Sequence, residues 1–464
     1  MSFTEKYAKV FKALLPTPFT IAIVLTAITF AMALALTKPS AVGLADYSFE
    51  LLGYWEKGLG GSGGLAFALQ MMLMLVLGHV LALSRPINSL LNRMVSFCNT
   101  TATAALFVTL IAVVCSMFNW GFGLIIGAII ARKVGERAAS NNISINYPLI
   151  GAAGYSGLMV WHGGLSGSAP LKIAEENGMD SLFSNYPITQ ELKEQLPTSV
   201  PFDETVFSPM NLTIAIALIV VLPVTMFILA KITKSSKVEI QETLQSVGDQ
   251  PNVSGAERLD HSRILCLTIG LTILIYALLK IFWQKGPIGW SFINPNYINL
   301  VLLGLCFVFH LRFADFLRSV DSAIGGAAGI LIQFPLYFGI MGIMSGSGMM
   351  TDISNFFVAH STDTTHPIVT FISAGLVNVL VPSGGGQWAV QGPIIIESSI
   401  QQGLPLGKGI MAMSYGDQLT NMLQPFWALP LLAITGLKAK DILPYTLIIM
   451  LIGIVIFISG LLLF

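Results

Sequence analysis

Val381-Pro382-Ser383-Gly384-Gly385-Gly386-Gln387-Trp388 interrupts an apolar stretch, with Ile368 to Val381 on one side and Pro393 to Ile396 on the other. Three consecutive glycines after Pro-Ser leave a concavity free of side chains, a shape suited to anions. Glycine loops outside a membrane are rarely embedded between two apolar arms. The surrounding segment, about 367–402, is too long for one membrane span and too broken for two. It therefore reads as a re-entrant hairpin with the glycines at its tip. Earlier in the chain, Ser116-Met117-Phe118-Asn119-Trp120-Gly121-Phe122-Gly123 breaks the segment 102–131 in the same way. Gly- or Pro-interrupted hydrophobic segments at corresponding places in two halves point to the binding site of a secondary transporter.

Composition supports this class. The 464 residues are 54% hydrophobic and 10% charged, against roughly 25% charged in a soluble domain. So few charges cannot cover the surface of a water-soluble protein of this size. Full spans are expected at 19–37, 65–83, 147–169, 209–231, 263–283, 297–310, 325–345, 405–431 and 443–463. Backbone groups in lipid must be satisfied internally, so the spans are helical, and the ~10-residue alternating segments of a β-barrel are not seen. The chain reads as an all-α polytopic membrane protein. Its net charge of zero gives no basic surface for nucleic acid. Cys98, Cys115, Cys266 and Cys306 lie in or beside apolar runs without metal-ligand spacing, and read as small buried hydrophobes. The run Phe19 to Thr37 after Lys6, Lys9 and Lys12 is longer than a signal h-region and reads as a retained first span.

Lys and Arg bias sets the expected orientation. With the N-terminus inside, Arg93 and Arg132 place both feet of the first hairpin in the cytoplasm. Asp352 and Asp363, with no basic residue, place those of the second outside. The loop 171–208 holds seven acidic residues against Lys172 and Lys193 and suits the exterior, without a functional account. The loop 232–262, with Lys234, Lys237 and Arg258, suits a cytoplasmic link. Two units of one plan result: residues 1–231, with the hairpin 102–131 and a broken span 147–169, and residues 297–464, with the hairpin 367–402 and a broken span 405–431. The linker and connecting span, 232–296, invert the second unit relative to the first. Tyr147-Pro148 and Leu404-Pro405 open the broken spans, and Pro170 parallels Pro430.

A helix ending in mid-membrane frees four N–H or four C=O groups, tolerated only beside protein or a water-filled cavity. Its N-terminus favours an anion, while C-termini and unwound carbonyls favour a cation. Two tips facing two broken helices therefore suit a small anion and a coupling cation. In the first tip, Ser116, Asn119, Trp120 and Gly121 combine polar groups with close backbone access. In the second, Ser383 and Gln387 flank Gly384, Gly385 and Gly386, and Trp388 offers an apolar wall. In the second broken span Asp417, Thr420, Asn421 and Gln424 share one helical face. A mid-bilayer aspartate costs roughly 2.5–3.5 kcal/mol on insertion scales and usually marks an ion or substrate path. Lys408 is too near the outer end to be its obvious partner. Trp161-His162-Gly163-Gly164-Leu165-Ser166-Gly167-Ser168 forbids a continuous helix in the first broken span. His162 is the weaker candidate there; His79, His310 and Glu397 read as interfacial.

Asn119-Trp120-Gly121-Phe122-Gly123, Gly164 to Ser168, Val381 to Trp388 with Gln391-Gly392-Pro393, and Gln424-Pro425-Phe426-Trp427-Ala428-Leu429-Pro430 closely resemble the bacterial short-chain fatty acid (acetoacetate/butyrate-type) permeases. The resemblance covers nearly the whole chain. It implies a branch of the ion-transporter superfamily, an inverted repeat, a homodimeric scaffold, elevator-type movement and residence in the bacterial inner membrane. The Ser-Asn-Thr tip motif of that superfamily's dicarboxylate branch is absent, so its sodium sites carry over only by position.

The combined expectation is symport of a short monocarboxylate, such as acetate, butyrate or acetoacetate, with sodium or a proton and no other cofactor. Asn119 with Ser166 and Ser168, and Ser383 with Asp417 and Asn421, are the two candidate cation sites, and Ser116, His162, Thr420 and Gln424 are further cation-coupling candidates. The carboxylate would lie between the tips, with its tail against Trp120, Trp161 or Trp388. The absence of arginine from tips and broken spans disfavours di- and tricarboxylates. A di- or aromatic carboxylate carrier and an anion channel remain as alternatives. An enzyme is disfavoured, because neither a His-Glu-x-x-His motif nor paired aspartates appear.

Overall fold

The computed structural model describes residues 16–183, 189–238, 240, 255–283 and 294–464. The N-terminal lysines, and residues 239 and 241–254 of the 232–262 link, lie outside the described residues. Within them the chain is helical, and its one extended pairing is the isolated bridge between Ile145 and Ser236. Among the described residues, seven helices are long and apolar enough to cross a membrane.

The helices are α1 (Pro18–Leu36), α2 (Leu44–Leu59), α3 (Ser62–Leu83), α4 (Arg85–Met94), α5 (Thr101–Phe118), α6 (Trp120–Ser140), α7 (Tyr147–Tyr155), α8 (Ser168–Ile173), α9 (Gly178–Phe183), α10 (Gln190–Gln195) and α11 (Pro209–Ile232). They continue with α12 (Arg263–Trp283), α13 (Pro295–His310), α14 (Phe313–Ala323), α15 (Ala328–Gly346), α16 (Met349–Ala359), α17 (His366–Leu380), α18 (Gly384–Gln401), α19 (Leu406–Thr420), α20 (Pro425–Thr435) and α21 (Ala439–Leu463). Side-chain caps fix where the functional helices begin. Thr100 and Thr103 form a capping box on α5, with side chain-to-backbone distances of 3.2 and 3.3 Å. Asn119 Oδ1 accepts from the Phe122 N–H at 3.0 Å to start α6, and Ser383 Oγ accepts from Gly386 N–H at 3.2 Å to start α18. Proline in the first turn starts α7, α11, α13, α17 and α20, where no N–H bond is lost.

Each broken hydrophobic segment is two helices meeting at a short tip: α5 and α6 at Asn119, α17 and α18 at 381–383. In the second, α17 and α18 cover residues 366–401. The first runs on to Ser140, because Arg132, Lys133 and Glu136 neutralise one another and let α6 continue, with Arg132 Nε 2.9 Å and Lys133 Nζ 2.6 Å from the carboxylate. The 147–169 segment breaks after α7 into two 3-10 turns, Ser156–Met159 and Trp161–Gly163, before α8. The second broken segment pauses in a 3-10 turn at Asn421–Leu423, between α19 and α20.

The packing falls into two groups. α1, α2, α3, α12, α13 and α15 contact one another; the hairpins pack with α7, α11 and α19 to α21. The groups meet where α3 and α15 touch α6 and α20. α2 and α15 cross at backbone distance: a Cβ on Gly58 would overlap Phe338 O, and one on Gly342 would overlap Tyr54 O. Small residues allow such crossings where lipid gives no hydrophobic drive between helices. The outer faces are apolar; Ile216, Val220, Val224 and Ile228 form an exposed stripe on α11, which in water would be a liability and in lipid is solvated. The acidic loop forms α9 and α10, whose Phe183 and Leu192 pack with Trp388 in a separate small core over α18.

Candidate functional site

The freed backbone of the first break is held by the first tip and by the second broken span. Leu165 N–H donates to Met117 O at 2.8 Å, and Trp120 N–H to Ser166 Oγ at 3.0 Å. Gln418 Oε1 accepts from both His162 N–H, at 2.8 Å, and Gly163 N–H, at 3.1 Å. Asn211 Nδ2 on α11 donates to Gly163 O at 2.8 Å and is itself held by Tyr415 OH, which donates to Asn211 Oδ1 at 2.9 Å. In return Tyr155 OH reaches the carbonyls of Asn421 and Gln424, at 2.8 and 3.0 Å. Each break thus supplies partners for the other, as backbone unwound at membrane depth requires.

At the centre, His162 Nδ1 stands 2.6 Å from Asp417 Oδ2, with the side chains 0% and 1% exposed. Ala169 N–H donates to His162 Nε2 at 3.0 Å. That nitrogen is therefore the unprotonated one, and the imidazole proton sits on Nδ1, facing the carboxylate. Asp417 Oδ2 accepts from it, and Asp417 Oδ1 has no hydrogen-bond partner among the described residues. Asn421 Nδ2 and Gln424 Oε1 at the junction of α19 and α20, and Asn378 Oδ1 on α17, are likewise buried without partners among the described residues. An unsatisfied buried polar atom costs about 1–3 kcal/mol, so three such atoms together with the open carboxylate oxygen mark a place for water, an ion or substrate.

The polar face of the second broken span is turned onto Asn378 of α17. Its Nδ2 donates to Asp417 O at 2.7 Å and, at 2.9 Å each, to Thr420 Oγ1 and Asn421 Oδ1. Gln424 Nε2 donates to Asn378 O. Above this face lies an aromatic wall: Trp120 is 6.1 Å from Trp161 and 5.2 Å from Trp427 between ring centroids, with Phe67 6.0 Å from Trp120. Trp161 stacks on His162 at 4.4 Å. The second tip closes on the same pair, for a Cβ on Gly384 would stand 2.8 Å from Trp161 Cη2 and 2.9 Å from His162 Cε1.

A match to the family model for short chain fatty acid transporters runs over residues 2–464. The chain belongs to that family. An Escherichia coli (strain K12) protein is 37% identical over 455 residues, 97% of this chain and 96% of the relative. A Haemophilus influenzae protein is 33% identical over 468 residues, 99% and 97% of the two chains. Both are provisionally named short-chain fatty acid transporters. Among solved structures, Neisseria gonorrhoeae MtrF, described with a class of antimetabolite efflux pumps, aligns over 98% of this chain and 97% of its own. Its identity is 14% and its TM-score 0.43. The Alcanivorax borkumensis YdaH transporter aligns over 95% and 97%, at 14% and 0.41. The family and its relatives are transporters, not enzymes.

Within this family member the candidate residues divide. Asn119, Trp120, Ser166, His162, Gly384, Asp417, Thr420, Asn421 and Gln424 converge on one buried region. Ser116 lies under the first tip against Gly157, its hydroxyl without a partner among the described residues. Gly121 packs on Met74. Ser168 lies at the second tip beside Gly385, and Gly386 sits against the Ser383 hydroxyl that caps it. Gln387 binds Ala374 O at 2.8 Å and Gln391 Oε1 at 2.7 Å, bracing the hairpin arms. Trp388 is buried in the small core with Phe183 and Leu192 rather than in the aromatic wall; Trp427 takes the place expected of it. Sequence reasoning missed Asn211, Asn378, Gln418 and Trp427. An Asn or Gln inside an apolar span was the available signal for three of them. Among the described residues no group of three or more His, Cys, Asp and Glu could hold a metal ion.

Proposed function

We propose that this chain carries short-chain monocarboxylates, such as acetate, butyrate and acetoacetate, across the bacterial inner membrane by symport with a cation. The N-terminus lies inside, and the two units are inverted, so the hairpins enter from opposite faces. In a homodimer, the group of hairpins and broken helices moves against the group built on α2, α3, α13 and α15. Asp417 is the observation that carries this reading: a buried carboxylate, oriented by His162, with one oxygen left open. A bare charge there is costly, and a cation cancels it. Moving one charge across 100 mV is worth about 2.3 kcal/mol, so an anion entering against an inside-negative potential needs such a companion.

Sodium is the favoured ion, because Nε2 is occupied by Ala169 N–H and the Nδ1 proton already serves Asp417. The proton is the second reading, supported by the same 2.6 Å contact, along which a proton can shift. Proteoliposome uptake of labelled acetate, butyrate and acetoacetate under imposed sodium or proton gradients tests both. Saturable uptake driven by a sodium gradient alone supports the first, and uptake driven by pH alone replaces sodium with the proton. Flux without saturation or counterflow would instead mark an anion channel, and stronger competition by dicarboxylates or aromatic acids would move the substrate class.

A further inference from the structure

The second tip carries a cation that the sequence placed in an external acidic loop. Lys172 projects from α8, and a Cβ on Gly385 would stand 3.6 Å from Lys172 Nζ and 3.8 Å from Ser168 Oγ. Among the described residues Lys172 makes no ion pair or hydrogen bond. α18 starts at Gly384 and runs for 18 residues. Ser383 takes the N–H groups of Gly386 and Gln387, which leaves those of Gly384 and Gly385 as first-turn donors without an intrahelical acceptor. Trp161, 5% exposed, brings Cη2 and Cζ2 of its indole against Gly384, and its Nε1 has no hydrogen-bond partner among the described residues. The exposed Lys172 ammonium and the Ser168 hydroxyl thus flank Gly385 beside the two amide N–H groups, around a space at the tip whose polar groups can all donate.

We propose that this space receives the substrate carboxylate and that Lys172 is its counter-charge, an inference that rests on the transport reading above and names its anion subsite. One ammonium matches one carboxylate, which ties the preference for monocarboxylates to a residue. The subsite also stands next to the coupling ion. His162 turns Cε1 to Gly384, Nδ1 to Asp417 and Nε2 to Ala169, so one imidazole separates the anion from the cation. Each ligand then stabilises the arrangement the other needs, without direct contact between them.

The test uses the full-length protein in nanodiscs, with butyrate and the uncharged butyramide as probes and thermal stabilisation and tryptophan fluorescence as readouts. Wild type is expected to bind butyrate and to reject butyramide. Lys172→Gln should weaken butyrate about tenfold and lose that discrimination, whereas Lys172→Arg should stay within about threefold, since charge-assisted donors are the strong ones. Gly385→Ala adds a Cβ at ordinary contact distance from its neighbours, 3.6 to 3.9 Å. It should fold with unchanged stability in the absence of ligand yet lose butyrate, because the methyl fills the proposed space. Should Lys172→Gln and Gly385→Ala both bind butyrate as wild type does, the carboxylate lies elsewhere and the transport reading stands. A folded wild type that binds none of acetate, butyrate or acetoacetate overturns the transport reading and this subsite together.

Discussion

Asp417 shows how one residue is made tolerable and useful at once. His162 neutralises neither its charge nor its second oxygen; it fixes the carboxylate's orientation and leaves Oδ1 open. Asp417→Asn keeps a carbonyl oxygen for the His162 N–H and removes the charge. Stability should therefore change by no more than about 1 kcal/mol, while cation-driven uptake falls to background. Uptake in proteoliposomes and thermal unfolding of the same sample separate the two effects; full uptake by the variant would remove Asp417 from the coupling site. Asn378→Leu takes donors from Asn421, Thr420 and Asp417 together. It should cost about 1–3 kcal/mol in thermal unfolding and lower uptake as well. Asp417 was legible in the sequence because an acid in an apolar span has few explanations, and its helical period with Asn421 and Gln424 gave it a face. Its partner was not legible. His162 is 255 positions away, and only the meeting of two breaks brings them together. Asn378 was hidden for a related reason: a lone amide in an apolar arm has no periodic neighbours to mark it.

At the scale of elements, tips and breaks were readable because Gly, Pro and capping residues act locally. Asn119 ends one helix and caps the next, and Ser383, just past the Val381 end of α17, caps α18, decisions made within three residues. The amphipathic α2 and α16 were missed, since Asp46, Glu50, Glu56 and Lys57 lower the apolar content of α2 and its burial comes from α15. That contact makes a prediction. Gly342→Ala drives a methyl into Tyr54 O and should cost about 1–3 kcal/mol as overpacking. Gly53→Ala on the facing helix α2, with nothing within 4 Å, should be neutral or stabilise by up to about 1 kcal/mol through helix propensity. Detergent melting curves of the two variants, side by side, check it. The C-terminal half of α6 supplies another. Glu136→Gln strands Lys133, which is 6% exposed, beside Arg132. Breaking a buried pair in this way costs about 3–5 kcal/mol, so a clear drop in melting temperature is expected without any change in ligand discrimination.

The molecule as a whole must open what the structure shows closed. With the second tip lying against Trp161, His162 and Ser168, substrate bound between them can leave only if tip and broken span part. A cross-link that forbids the parting should stop transport without disturbing the fold. The ideal Cβ of Gly385 lies 3.9 Å from Ser168 Cβ, inside the ~3.5–4.5 Å range of disulfides. Ser168→Cys with Gly385→Cys, placed in a background lacking Cys98, Cys115, Cys266 and Cys306, should therefore close under mild oxidant. Because both substitutions fall at the anion subsite, the double variant is compared with itself, oxidised against reduced. Uptake should fall with the fraction cross-linked and return on reduction, to whatever level the reduced double variant supports. Unchanged uptake at complete cross-linking would mean that the second tip stays on the broken span throughout the cycle, and that access to the site opens at the first tip, where Leu165 and Ser166 now hold Met117 and Trp120.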